Sequence, residues 1–69
     1  MQTMPQLQNV LAYDLRVGDV IYNQDATIIK IDEFPNSRRM NIRMKSNSGI
    51  GYYFWTSVNN NTTIQVVKR

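Results

Sequence analysis

The strict alternation in residues 38–45, RRMNIRMK, is the feature that most limits how this chain can fold. Met40, Ile42 and Met44 are separated by single polar residues. Successive side chains of a β-strand point to opposite faces, so this pattern predicts a half-buried strand with three apolar side chains toward a core. Elsewhere in the sequence, apolar residues at helical spacing occur only weakly, around residues 7–11. The pattern therefore predicts an all-β protein.

Turn-forming residues divide the rest of the chain into short strands. Gly18-Asp19, Gln24-Asp25, residues 35–37 (PNS) and residues 46–49 (SNSG) are typical of turns. They predict five strands, at about 19–23, 26–34, 38–45, 50–56 and 62–68. In the last strand, Ile64 and Val66 are expected to point inward.

The order of these elements is similar to that of a known class of small domains. The segment DLRVGDVI at 14–21, a long second strand, two hairpins and a brief turn before the last strand resemble Src-homology-3-like barrels over residues 13–68. The resemblance is one of arrangement, and Gly18-Asp19 is its only local match. It implies an all-β, small five-stranded antiparallel SH3-like barrel over residues 13–69, preceded by a short N-terminal extension over residues 1–12.

Composition argues against most catalytic and metal chemistry. The chain has no cysteine and no histidine, which removes disulfides, cysteine-rich zinc sites and the usual base at neutral pH. Asp32 and Glu33 are adjacent on a predicted strand and so face opposite ways. We therefore predict that the protein is not an enzyme and has no catalytic residue, no cofactor and no metal site.

The sequence also predicts where the protein acts. The N-terminus lacks the basic start and the apolar run of a secretory signal. We expect no contact with a membrane, because no stretch approaches the roughly 20 apolar residues of a membrane span. A cytoplasmic location is expected.

Charge is divided unevenly along the chain. Residues 1–33 contain two basic and five acidic residues, whereas residues 34–69 contain six basic and no acidic ones. Such a division is typical of proteins that bind nucleic acid or another acidic surface. The alternative is that the two halves fold onto each other and their charges partly neutralise.

Four consecutive aromatic residues, 52–55 (YYFW), raise the question of what an exposed pair of rings does. The favoured register pairs Met44 with Ile50, which points Tyr53 and Trp55 to solvent. A one-residue slip would expose the other two rings instead. In both registers, two rings lie beside the basic residues of the neighbouring strand.

Aromatic rings among cations are typical of surfaces that bind single-stranded RNA or DNA. We predict a non-catalytic nucleic-acid-binding protein that uses Arg38, Arg39, Arg43, Lys45, Tyr53 and Trp55. The alternative is a phage or mobile-element accessory protein that binds a host protein through the same face. Binding to itself is a further alternative, because a domain of 69 residues has a small core. In a third reading, arginine and rings only cover the sheet.

Overall fold

The structure, a computed structural model, describes residues 6–34 and 36–68. These residues form six β-strands and two single-turn 3-10 helices. The strands are β1 (Leu7–Leu11), β2 (Val20–Ile21), β3 (Ala26–Phe34), β4 (Arg39–Ser46), β5 (Tyr52–Asn59) and β6 (Thr63–Val67); the 3-10 helices are η1 (Ala12–Asp14) and η2 (Tyr22–Gln24). Among the described residues, no helix is long and apolar enough to cross a membrane.

All six strands belong to one antiparallel sheet in the order β1-β6-β2-β3-β4-β5. The prediction of an all-β protein is confirmed. The prediction of five strands closed into a barrel is wrong, because the sheet is open, with β1 and β5 at its two edges. The three long strands, β3, β4 and β5, are neighbours in the sheet and form its larger half.

The sixth strand comes from the segment predicted to be an extension. Residues 7–11 pair with β6, from Leu7 opposite Val67 to Leu11 opposite Thr63. Ala12 follows directly and is fully buried. The prediction of an extension is therefore wrong for residues 7–12, while residues 1–5 lie outside the described part of the chain.

One face of the sheet encloses the hydrophobic core. The fully or nearly buried apolar residues come from η1 and the loop after it and from strands in both halves of the sheet: Ala12, Leu15, Ile21, Ala26, Ile28, Met40, Ile42, Met44, Ile64 and Val66. The predicted inward positions in β4 and β6 are confirmed. Because β4 and β6 share this cluster, the sheet curves around it.

Two β-bulges flank β4 and decide which side chains reach the core. Ile28 and Ile31 in β3 are three residues apart, as are Trp55 and Val58 in β5. A regular strand would send the members of each pair to opposite faces. The register shifts between Ile28 and Lys30 and again opposite Met40 to Ile42, so each strand gains one residue and both pairs contact the core.

The turn between β4 and β5 sets the register of this hairpin. The Ser46 N–H donates to the Gly51 carbonyl oxygen at 3.0 Å and encloses a four-residue loop. Gly51 has φ +132°, a backbone conformation that residues other than glycine rarely adopt. Asn47 fixes the loop to the body of the protein, because its N–H donates to the Asp25 carbonyl at 2.8 Å and its Oδ1 accepts from the Thr27 hydroxyl at 2.8 Å.

Candidate nucleic-acid interface

The pairing of β4 with β5 decides which aromatic rings lie among the cations. Lys45 lies opposite Tyr52 and Arg43 opposite Phe54. Directly paired residues share a face of an antiparallel sheet, so these two rings lie on the side of the basic residues. The favoured register is therefore wrong. The general expectation that two rings lie beside Arg43 is confirmed.

Tyr53 and Trp55, the two predicted stacking residues, point to the other face. Trp55 lies opposite Ile42 and packs against the core. Tyr53 lies opposite Met44 and is 40% exposed. The loop has an even number of residues, four, and this number sends Tyr53 and Trp55 to the inner face. Ile50, which the sequence pattern assigned to the strand, is instead fully exposed at the tip of the loop.

We call the solvent-facing side of β3, β4 and β5 the outer face. It includes Lys30, Asp32 and Phe34 on β3, Arg39, Asn41, Arg43 and Lys45 on β4, and Tyr52 and Phe54 on β5. Tyr52 is 67% and Phe54 53% exposed. Four cations and one carboxylate give this face a net charge of +3 if every group carries its ordinary charge.

Arg43 is the centre of the outer face. Its guanidinium carbon lies 5.4 Å from the centroid of the Phe54 ring, within the range of a cation–π contact. On its other side, Arg43 pairs with Lys30. Like charges that lie directly opposite each other destabilise a sheet. Asp32 offsets this only in part, since its carboxylate is 3.9 Å from the Lys30 ammonium and both side chains are more than half exposed. The arrangement would gain from a bound anion.

Beside Arg43 the outer face has a shallow depression. Ile29, Arg43 and Tyr52 line it. Ile29 is the extra residue of the β3 bulge, which turns it out of the core and leaves it 40% exposed. The depression thus combines one cation, one ring and one aliphatic side chain.

Arg39 and Asn41 hold the other end of the outer face in place. The Arg39 Nη1 donates to the Ser57 carbonyl at 3.0 Å, and the Ser57 N–H donates to the Asn41 Oδ1 at 3.0 Å. Ser57 has φ +54° at the β5 bulge, so two side chains of β4 fix the irregular backbone of β5. The Arg39 charge is therefore held close to the sheet.

Arg38 does not belong to the same row. It lies in the turn before β4 with φ +54°, and its carbonyl accepts a hydrogen bond from the Asn60 N–H at 2.9 Å. Its side chain lines a small cleft with Tyr13 and Glu33, next to the Arg39 end of the outer face. Because Arg38 lies outside the row of cations and shares its cleft with Glu33, it is a weaker candidate for binding an anion.

Sequence reasoning placed none of the β3 residues Lys30, Asp32 and Phe34 on the outer face, and it gave Tyr52 and Phe54 only as the alternative register. The spacing of Trp55 and Val58 was an available signal for the two rings. Both are apolar residues, and a bulge between them is the arrangement that sends both to the core. Lys30 could not have been placed, because its partner on β4 depends on the β3 bulge.

No group of three or more possible metal-ligating side chains occurs within residues 6–34 and 36–68.

Comparison with other proteins adds no constraint on this site. A comparison with protein-family models found no match, and comparisons with curated proteins and with solved structures found no significant similarity.

Proposed function

We propose that the protein binds single-stranded nucleic acid through its outer face and catalyses no reaction. The observation that supports this most strongly is the row formed by Lys30, Arg43 and Phe54 across three strands. Two paired cations without full compensation favour a polyanion, and the adjoining ring offers a surface for a base. The SH3-like arrangement and the cytoplasmic location stay predictions.

The chemistry of the outer face suits unpaired bases. Stacking of a base on an aromatic ring contributes about 1–3 kcal/mol and tolerates any sequence. Tyr52 and Phe54 are two residues apart on one strand, so their rings lie about 7 Å apart along it. Arg43 and Lys45 on the next strand are placed to contact the phosphates of a strand whose bases occupy these rings.

The two neighbouring tyrosines provide a matched test of the face. Tyr52→Ala and Tyr53→Ala remove the same group from adjacent positions of β5 that point to opposite sides. We expect Tyr52→Ala to weaken binding of a fluorescein-labelled 15-nucleotide oligothymidylate at least fivefold, measured by anisotropy at about 50 mM salt, because one stacking contact is lost. Tyr53→Ala should bind within twofold of the unaltered protein. Equal losses in both variants would contradict the proposal, provided that far-UV circular dichroism shows both to be folded.

Salt dependence tests the role of the cations. If Lys30, Arg39, Arg43 and Lys45 each neutralise one phosphate, the logarithm of the binding constant falls with the logarithm of salt concentration with a slope of about −3. Arg43→Gln combined with Lys45→Gln should make the slope less negative by about 1.4. Arg16→Gln, an exposed arginine outside the sheet, is the control and should leave it unchanged. An unchanged slope in the double variant would refute the assignment.

A protein partner is the second candidate. The observation that favours it is the exposure of aliphatic side chains at or next to the outer face, Ile29 in the depression and Ile50 at the loop tip. Binding of nucleic acid does not require exposed aliphatic side chains, whereas protein interfaces combine apolar, aromatic and arginine side chains. If no RNA or DNA oligonucleotide binds at about 50 mM salt, the protein partner becomes the better proposal.

A further inference from the structure

We infer that the protein forms a two-fold symmetric dimer in which the β5 edges of two copies pair antiparallel and join their sheets. β5 is the last strand of the sheet, so one side of its backbone has no strand partner among the described residues. An exposed edge is a template for pairing with another strand. This inference does not depend on nucleic-acid binding.

The sequence of β5 lacks the usual protection against edge pairing. Natural edge strands carry charged side chains, a proline or an early bulge. Residues 50–56, IGYYFWT, contain neither a charge nor a proline, and they combine high β-propensity with apolar character. The bulge of β5 lies later, at Ser57, so residues 52–55 form a regular ladder with β4.

The hydrogen-bond pattern identifies the groups that are free at this edge. The Ser46 N–H bonds to the Gly51 carbonyl, and bonded and non-bonded pairs alternate along an antiparallel ladder. The backbone groups of Tyr53 and Trp55 therefore point toward β4, and those of Tyr52 and Phe54 point outward. Two consecutive outward residues can bond to the same two residues of a second copy.

A second copy of this chain is the occupant that the edge fits. Two identical uncharged segments do not repel each other, and the cations of β4 lie one strand further from the contact. The dimer would place Tyr52 and Phe54 of both copies in one continuous outer face. Three half-exposed rings offer roughly 300 Å² of apolar surface per copy. This is below the roughly 800 Å² per partner of a typical stable complex, so the dimer should be weak and depend on concentration.

Sedimentation velocity of the full chain without nucleic acid, from about 5 µM to 1 mM, tests the inference. We expect the sedimenting mass to rise with concentration from 8.1 kDa toward twice that value. Thr56→Lys should raise the concentration at which the mass increases at least tenfold, because a charged side chain at the pairing edge disfavours the contact between two copies. Gln8→Lys puts the same charge on the exposed part of the opposite edge strand, β1, and should behave like the unaltered protein.

Amide hydrogen exchange then distinguishes edge pairing from other modes of association. The Tyr52 and Phe54 amides should exchange several-fold more slowly at 1 mM than at 50 µM, with the Lys45 amide as an internal reference. A protein that stays monomeric to 1 mM would overturn the inference. So would a dimer without this protection, or one that Gln8→Lys disrupts as strongly as Thr56→Lys does.

Discussion

Replacement of Trp55 by alanine separates the register seen in the structure from the one favoured by the sequence pattern. If Trp55 were on the solvent side, its loss would hardly affect stability. In the structure it packs against the core opposite Ile42. Phe54, one residue earlier and 53% exposed, is the matched comparison because its ring faces solvent beside Arg43.

The expected losses differ enough to be measured. A buried tryptophan removes roughly 150–250 Å² of surface from water. Trp55 is only partly buried, so Trp55→Ala would lose about 120 Å² of buried surface. At about 25 cal/mol per Å² this lowers the free energy of unfolding by about 3 kcal/mol. Phe54→Ala loses the cation–π contact and about 40 Å² of burial, because nearly half of this residue is covered, which lowers the free energy of unfolding by about 1.5 kcal/mol in total. A domain of this length has a total stability of about 3–10 kcal/mol.

Urea denaturation followed by far-UV circular dichroism is the suitable assay, because Trp55→Ala removes the lone tryptophan and its fluorescence. Both variants should keep the slope of the unfolding free energy against urea, and Trp55→Ala should have the much lower midpoint. A loss in Phe54→Ala equal to or larger than that in Trp55→Ala would refute the observed register and the outer face built on it.

Two further predictions concern the frame that holds the outer face. Met44→Ala should lower the free energy of unfolding by about 2–5 kcal/mol, since this side chain is fully buried, whereas Lys45→Ala next to it should change it by less than about 0.5 kcal/mol; thermal and urea unfolding of the pair would reveal a misplaced strand if the two losses were similar. Ser57→Gly should raise the free energy of unfolding by about 0.5 kcal/mol, because glycine adopts φ +54° without strain while the N–H can still donate to Asn41; a loss in the same urea assay would mean that the bulge is not strained.

The sequence predicted the kinds of residue that form the candidate site, but not which aromatic residues belong to it. The basic row of β4 and the presence of two rings beside it follow from alternation and from the hairpin, both local properties. Which rings these are depends on the number of residues in the loop, and the sequence SNSGI allows several loop lengths. A register that buries Ile50 and Phe54 would leave Trp55 on the solvent side. Trp55 offers the core a larger ring than Phe54 does, and the Ser57 bulge allows Val58 to reach the core as well.

The N-terminal strand shows a second limit of local reasoning. LQNVL at 7–11 has no alternation strong enough to predict a strand, and its pairing with β6 joins residues more than 50 positions apart. Such a strand is stabilised by its partner rather than by its own propensity.

The sequence by itself determined the chemistry of this protein: strands rather than helices, a core of alternating apolar residues, no cysteine or histidine, and a basic second half interrupted by four rings. These properties depend on residue type and on spacings of two, which a chain carries wherever it folds. The tertiary structure decided the open sheet, the sixth strand and the pair of rings that meets the cations. Each of those depends on a bulge, a turn length or a distant pairing, because the free energy of burying a side chain is set by what lies opposite it.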